Sequence, residues 1–147
     1  MGFADSIKAF EKKALLAASN NSNTIVKKLF TYTVENSPSP NNPGPYATGL
    51  LINQYYPMIA GTSSEISSAT SPYGNASLAR INDIVLQMPF LGKDNFVTLT
   101  NNVDHAYRAE MLGWPAGEGT NGWMWSGRQG PYGMVQKAMI QIQGDYS

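Results

Sequence analysis

The stretch Asn101-Asn102-Val103-Asp104-His105-Ala106-Tyr107-Arg108-Ala109-Glu110-Met111-Leu112-Gly113-Trp114 joins a short alternating segment, Phe96 to Thr100, to a loop rich in glycine and tryptophan. The two asparagines stand directly after the alternation, where their side chains end a strand by bonding nearby backbone groups. From about Asp104 to Leu112 the sequence reads as a short turn of helix. Within it Glu110 holds the turn or a neighbour's Arg or Lys, and Gly113 belongs to the same structural turn. A strand that passes straight into a helix, with no βαβ rhythm around it, points to an α+β fold.

Upstream, Ile7, Phe10, Ala14, Ala17, Ile25, Leu29 and Tyr32 recur at three- and four-residue steps, with Asn21 as a polar exception. That spacing is one face of a helix from about Asp5 to Asn36, capped by Asp5 or Ser6. The run Ser19-Asn20-Asn21-Ser22-Asn23 is poor in helix propensity, but the apolar face stays in phase across it, so one long helix is expected. Four prolines and a glycine between Ser37 and Pro45 then exclude any regular element. Leu50 to Ala60 reads as a strand that Pro57 confines to a sheet edge or to the strand's end. Ser63 to Tyr73 is an exposed connection, and Asn75 to Met88 is a helix through Leu78, Ile81, Val85 and Met88.

Downstream, Gly113 to Gly130 carries six glycines and all three tryptophans. Such a composition forms neither helix nor buried strand, and it is expected to order on contact with a partner. A final amphipathic helix begins near Pro131 and runs through Met134, Val135, Ala138, Met139 and Ile142. The architecture expected over residues 1–147 is a single domain: a long N-terminal helix, a small antiparallel or mixed sheet, a middle helix and a C-terminal helix.

Composition narrows the function. Of 147 residues, 42% are hydrophobic and only 14% charged, with a formal net charge of +0 and no cysteine. Uncharged aromatic surface usually belongs in an interface, and near-zero charge favours self-association. A polyanion partner calls for clustered Lys and Arg, and the only such groups are Lys12-Lys13 and Lys27-Lys28 on the first helix, so sequence-specific DNA binding is not expected. Without cysteine there is no disulfide, thiolate metal site or Cys nucleophile. No apolar run is long enough to span a bilayer, and the N-terminus has no signal-peptide pattern, so no membrane role is expected.

Catalysis finds little footing. Ser126, His105 and Asp104 can be written as a triad, yet no Gly-x-Ser-x-Gly elbow exists, and adjacent Asp and His side chains diverge on a helical turn. His105 reads instead as a capping or interface residue. Carboxylate pairs such as Glu110 with Glu118, or Glu35 with Asp83, fall in no glycosidase motif, although a lysozyme-like enzyme is the reactive alternative to weigh. One histidine and no Asp-rich loop leave no metal site, and Gly117-Glu118-Gly119 lacks the Lys-Ser/Thr of a phosphate cradle. Neither cofactor nor catalytic residue is expected.

Trp114, Trp123 and Trp125 are conspicuous by composition alone. With Tyr132, Tyr55 and Tyr56 they are candidate interface anchors, since aromatic side chains give the largest contact energies per residue. The competing reading makes the tryptophans a local mini-core pinning their loop to its own domain. A stacking platform for sugars or bases is a third.

Thr48-Gly49-Leu50 with Tyr55-Tyr56, the turn Leu91-Gly92, the run Asn101-Asn102…Ala106…Glu110…Gly113-Trp114 and the closing Pro131-Tyr132-Gly133-Met134-Val135 occur in an order that resembles the head–tail joining (tail-completion, or neck) proteins of tailed bacteriophages. The resemblance covers nearly the whole chain. It departs from the pattern at Leu50-Leu51-Ile52, where the family usually carries a basic residue or two, in the expanded Pro40–Gly44 turn, and in the unusually long Gly/Trp-rich segment between Trp114 and Pro131. The resemblance implies a structural subunit of a cyclic homo-oligomer, six- or twelve-fold, with a channel through which DNA passes. It implies neighbours on the portal, adaptor or head-completion side and on the tail-tube or tail-terminator side. It also implies a virion location in the neck or tail, after assembly in the host cytoplasm. A different class, a small binding module that uses the Trp-rich loop for glycan or peptide recognition, is the alternative.

Overall fold

A computed structural model describes residues 2–39, 49–88, 95–104, 106–111, 117–118, 124–125 and 133–147, with backbone alone at residues 3, 117–118 and 124–125. In chain order the elements are α1 (Phe3–Glu35), a single 3-10 turn (Leu51–Asn53), β1 (Tyr55–Ile59), α2 (Asn75–Gln87), β2 (Val97–Asn101), α3 (Ala106–Met111), β3 (Gly117–Glu118), β4 (Met124–Trp125) and α4 (Val135–Asp145). The class is α+β, with the long first helix, a two-stranded antiparallel sheet, a middle helix and a C-terminal helix.

α1 is one unbroken helix of 33 residues. At its start the Gly2 N–H bonds the Asp5 carboxylate at 3.1 Å, placing an acid where the helix dipole is positive. Of the apolar face read from the sequence, only Leu29 borders the core. Core contact comes from Phe30 and Val34, with Val26 and Leu29 beside them, and they pack with Ile52, Tyr55 and Ile81. Residues 4–18 are all exposed, Phe10 at 74%. Periodicity marks an amphipathic helix along its whole length, whereas the body of the domain covers only the C-terminal half.

β1 and β2 pair antiparallel, Tyr55 opposite Asn101 and Ile59 opposite Val97. Among the described residues each is an edge of a two-stranded sheet, so the N–H that Pro57 lacks costs no ladder bond to a third strand there. The segment expected as a continuous strand from Leu50 begins instead as the 3-10 turn, whose Leu51, Ile52 and Asn53 are all buried. α1 and α2 lie against this sheet, with Leu78 and Val85 of α2 and Val97 and Leu99 of β2 bordering the core.

A second cluster joins Leu51, Val103, Ala106, Ala109 and Met134. It docks α3 and the start of α4 against the 3-10 turn. The far end of α4 is tied to α1 by Asn36 Nδ2 bonding Gln141 Oε1 at 2.7 Å and by Lys28 against Asp145 at 3.2 Å. Inside the Gly/Trp-rich segment, where the composition predicts neither helix nor buried strand, Gly117–Glu118 and Met124–Trp125 form a minimal antiparallel pair. Two residues a side need only backbone groups, which the glycine content does not remove.

Candidate functional site

Glu110 lies on the last turn of α3, where a negative charge gains nothing from its own helix. Its carboxylate reaches another helix. Oε2 accepts the backbone N–H of Met134 at 3.0 Å and of Val135 at 3.1 Å, and Oε1 accepts that of Gln136 at 3.2 Å. These are unpaired donors at the start of α4, which has no side-chain cap of its own. One anion therefore closes three orphan N–H groups, each a charge-assisted bond at the positive end of a dipole.

The asparagines act at the other end of the same stretch. Asn101 Nδ2 donates to Leu51 O at 3.0 Å, and its Oδ1 accepts the Val103 N–H, turning the chain out of β2. Asn102 Nδ2 donates to Ser63 O and Glu65 O at 2.8 and 3.0 Å. The stretch from 101 to 110 thus anchors the 3-10 turn, the 61–73 segment and α4 together. Gly113 lies outside the described residues.

Between the two core clusters stands Tyr55. Its hydroxyl is 2.7 Å from Ser37 Oγ and 3.6 Å from Met134 Sδ. Ser37 gives its single proton to Thr33 O at 2.8 Å, so the tyrosine donates to the serine. Burial pushes the phenol up to about 12, against smaller lowering effects of the Ser37 and Asn101 hydrogen bonds.

Tyr55 and Tyr56, expected at an interface, belong to the chain's own core at 4% and 6% exposure. Tyr55 is covered from both clusters, and the guanidinium of Arg80 stacks on the Tyr56 ring at 4.0 Å. Strand pairing directs these two residues to opposite faces of β1, and each face has its own cover. Trp114, Trp123 and Tyr132 lie outside the described residues, as does His105. Trp125 is described in backbone only, within β4.

Sequence reasoning passed over a set of buried polar side chains that hold the unstructured 61–73 segment. Gln54 pairs with both backbone groups of Ser67, Nε2 to O at 2.7 Å and N–H to Oε1 at 2.8 Å, as a neighbouring strand would. Asn53 donates to Gly49 O and Ser71 O at 2.7 and 2.6 Å and accepts the Ala76 N–H. Arg80 donates to Asn53 O at 2.8 Å. Gly49, with φ +81°, passes so close to this segment that a Cβ would sit 2.5 Å from Thr70 O. A buried amide and a surface amide look alike in one sequence, which is why this signal was not found.

At the far end of α4, the Tyr32 hydroxyl donates to Asp145 Oδ2 at 2.8 Å and Lys28 reaches the same oxygen. The Tyr32 bond first, and Lys28 second, hold the Asp145 carboxyl below its ordinary range, while Asp145 raises Lys28 and Tyr32. Lys28 and Tyr32 border an open groove of about 700 Å³ between α1 and α2, with Asn23, Lys27, Val85 and Leu86 on its walls. Among the described residues no three His, Cys, Asp or Glu side chains are grouped to hold a metal ion, and no helix is long and apolar enough to cross a membrane.

The site is an anchoring network: a carboxylate on helix N–H groups, amides on backbone, and a buried phenol between two clusters. Its chemistry is that of fixing elements to one another. No family profile, curated protein or solved structure matches this chain.

Proposed function

We propose that the chain is a structural subunit of a bacteriophage head–tail joining ring, a component of the neck or tail-completion layer with no reaction and no cofactor. One observation carries the reading. Parts of three of the four separated pieces that resemble the joining proteins share one place: Ala106 of the third piece and Met134 of the last belong to one cluster that Leu50 of the first borders, and Glu110 caps Met134 and Val135. Residues far apart in the chain that share one cluster are what a common fold demands of a dispersed motif. The uncharged, aromatic-rich composition supports a role in assembly contacts. In this reading copies associate as a cyclic homo-oligomer between the portal side and the tail, and DNA passes through without sequence readout.

The test is joining itself. Purified protein added to an extract of separate heads and tails is expected to raise the count of joined particles seen by electron microscopy, and the protein is expected among virion proteins by mass spectrometry. An unchanged count together with absence from the virion overturns the reading.

A further inference from the structure

Residues 62–71 run between β1 and α2 without helix, strand, turn or bend, and residues 62–70 share no backbone hydrogen bond with any other described backbone group. Side chains hold them instead, and they do so on alternate residues. Asn102 Nδ2 donates to the carbonyls of Ser63 and Glu65. Gln54 donates to the Ser67 carbonyl and accepts the Ser67 N–H. The N–H groups of Glu65 and Ala69 go to the hydroxyls of Ser63 and Ser67. Among the described residues, neither the N–H nor the carbonyl of Ser64, Ile66 or Ser68 has a partner.

That alternation has a geometric meaning. In an extended chain the N–H and carbonyl of one residue point to the same side, and those of the next residue point to the other. The odd-numbered groups face the domain, where Asn102 and Gln54 meet them. The groups of 64, 66 and 68 therefore point away from it. The segment is a strand edge whose inner side is satisfied and whose outer side is open. Three N–H groups and three carbonyls at two-residue spacing are matched in register by another extended backbone.

We propose that this edge pairs antiparallel with the same edge of a second copy of the chain, about a two-fold axis at Ile66. The sequence around that residue reads nearly alike in both directions, with Ser64 two residues before it and Ser68 two after. In the two-fold register Ile66 lies opposite its own counterpart, Ser64 opposite Ser68 and Glu65 opposite Ser67. Each pairing of even residues then exchanges two N–H to carbonyl bonds, and every open group of 64, 66 and 68 finds its match. A shift of one residue sets the open groups against odd residues whose groups face the domain. A shift of two forfeits a bonded pair.

The side chains agree with a second copy. Ile66, 63% exposed, is the one large apolar side chain of residues 62–70 and sits on the axis, where two copies cover each other's. Natural edges guard against such pairing with lysine or proline, and residues 62–70 hold neither. Glu65 is their only charge and lies opposite a serine rather than itself, and a net charge of +0 leaves no long-range repulsion between copies. The proposal is independent of the ring reading, since a two-fold contact joins a pair and does not close a ring.

The experiment joins sedimentation velocity to amide-resolved hydrogen exchange on the full-length protein, from low micromolar to millimolar concentration, beside Ile66→Lys, Ile66→Glu and their equimolar mixture. Position 66 is exposed, so near-UV circular dichroism of each variant is expected to match the parent. The parent is expected to pass from monomer to dimer as concentration rises. Exchange at residues 64, 66 and 68 is expected to slow at least about threefold in the dimer, while residues 65, 67 and 69 keep their rates. Each substitution sets like charges opposite one another, so each variant alone is expected to associate about fivefold more weakly or worse. In the mixture opposite charges face each other, and a heterodimer is expected to exceed either homodimer. A parent that stays monomeric at millimolar concentration, protection that falls elsewhere, variants that dimerise like the parent, or a mixture without heterodimers each overturns the proposal. So does protection of 64, 66 and 68 that arises only when a different protein is added. The joining count reads the functional assignment separately, and none of these outcomes moves it.

Discussion

Glu110 Oε2 and the Met134 N–H are 3.0 Å apart across 24 residues of chain, so the helix that ends near Glu110 and the helix that starts after Met134 are fixed end to end by one carboxylate. Glu110→Gln keeps an acceptor oxygen but removes the charge and one of the two acceptors. The expected loss is about 1 kcal/mol in urea unfolding, because the contact is half-exposed. Ring formation is expected to fall in part, with no hydrolysis of cell wall or DNA by either version. Cleavage of peptidoglycan by the parent that disappears in the variant would identify an enzyme.

Tyr55 makes stability fall in strong alkali. Its phenol is raised to about 12 when folded, against an ordinary value near 10, so the unfolded chain releases the proton first. The contribution is complete below pH 10 and drains away between pH 10 and 12, at up to about 1.4 kcal/mol per pH unit. Tyr55→Phe is expected to flatten that decline while costing about 1 kcal/mol at neutral pH through loss of the buried Tyr55–Ser37 hydrogen bond. Chemical denaturation from pH 8 to 12 checks both.

Gln54→Ala leaves both backbone groups of Ser67 without their partner in a partly buried place. A loss of about 2–3 kcal/mol is expected, with amide exchange rising over residues 61–73 before the rest of the domain. Uniform exchange across the domain in this variant would mean that the amide holds nothing local.

At Gly49 the constraint is double: a left-handed backbone, and a carbonyl 2.5 Å from where a Cβ would stand. Gly49→Ala is expected to cost about 2–3 kcal/mol, read as a lowered melting temperature. The neighbouring backbone at Thr70 cannot give way as a side-chain tip would.

Trp123→Ala together with Trp125→Ala is expected to impair joining while circular dichroism stays unchanged, since truncating an interface aromatic costs roughly 2–4 kcal/mol at a hot spot. An unfolded double variant would place these rings in the subunit's own core.

The elements that sequence makes legible are those whose signal is local. α1 and α2 follow from spacing, and the Asn101-Asn102 turn from two short side chains placed just after an alternation. What escaped is whatever depends on a distant neighbour. Glu110 stands out as a residue that holds something, but the helix it holds starts 25 residues later. The apolar stripe through Ile7 and Phe10 is visible, yet spacing cannot tell which half of a helix has a body beside it. Tyr55 and Tyr56 read as interface aromatics because their covers, Met134 and Arg80, come from elsewhere in the chain. Asn53 and Gln54 carry no periodic signature at all.

The run Ser19-Asn20-Asn21-Ser22-Asn23 stands where α1 leaves the body, between exposed residues and those that meet the core. Side chains there compete for the backbone's own hydrogen bonds, so this is the cheapest stretch of the helix to open. A bending load on residues 4–18 is therefore expected to open these five residues before it reaches Phe30 and Val34. In that sense the junction is a mechanical fuse, expected to yield first under a bending load and to spare the packing of the domain that carries the helix.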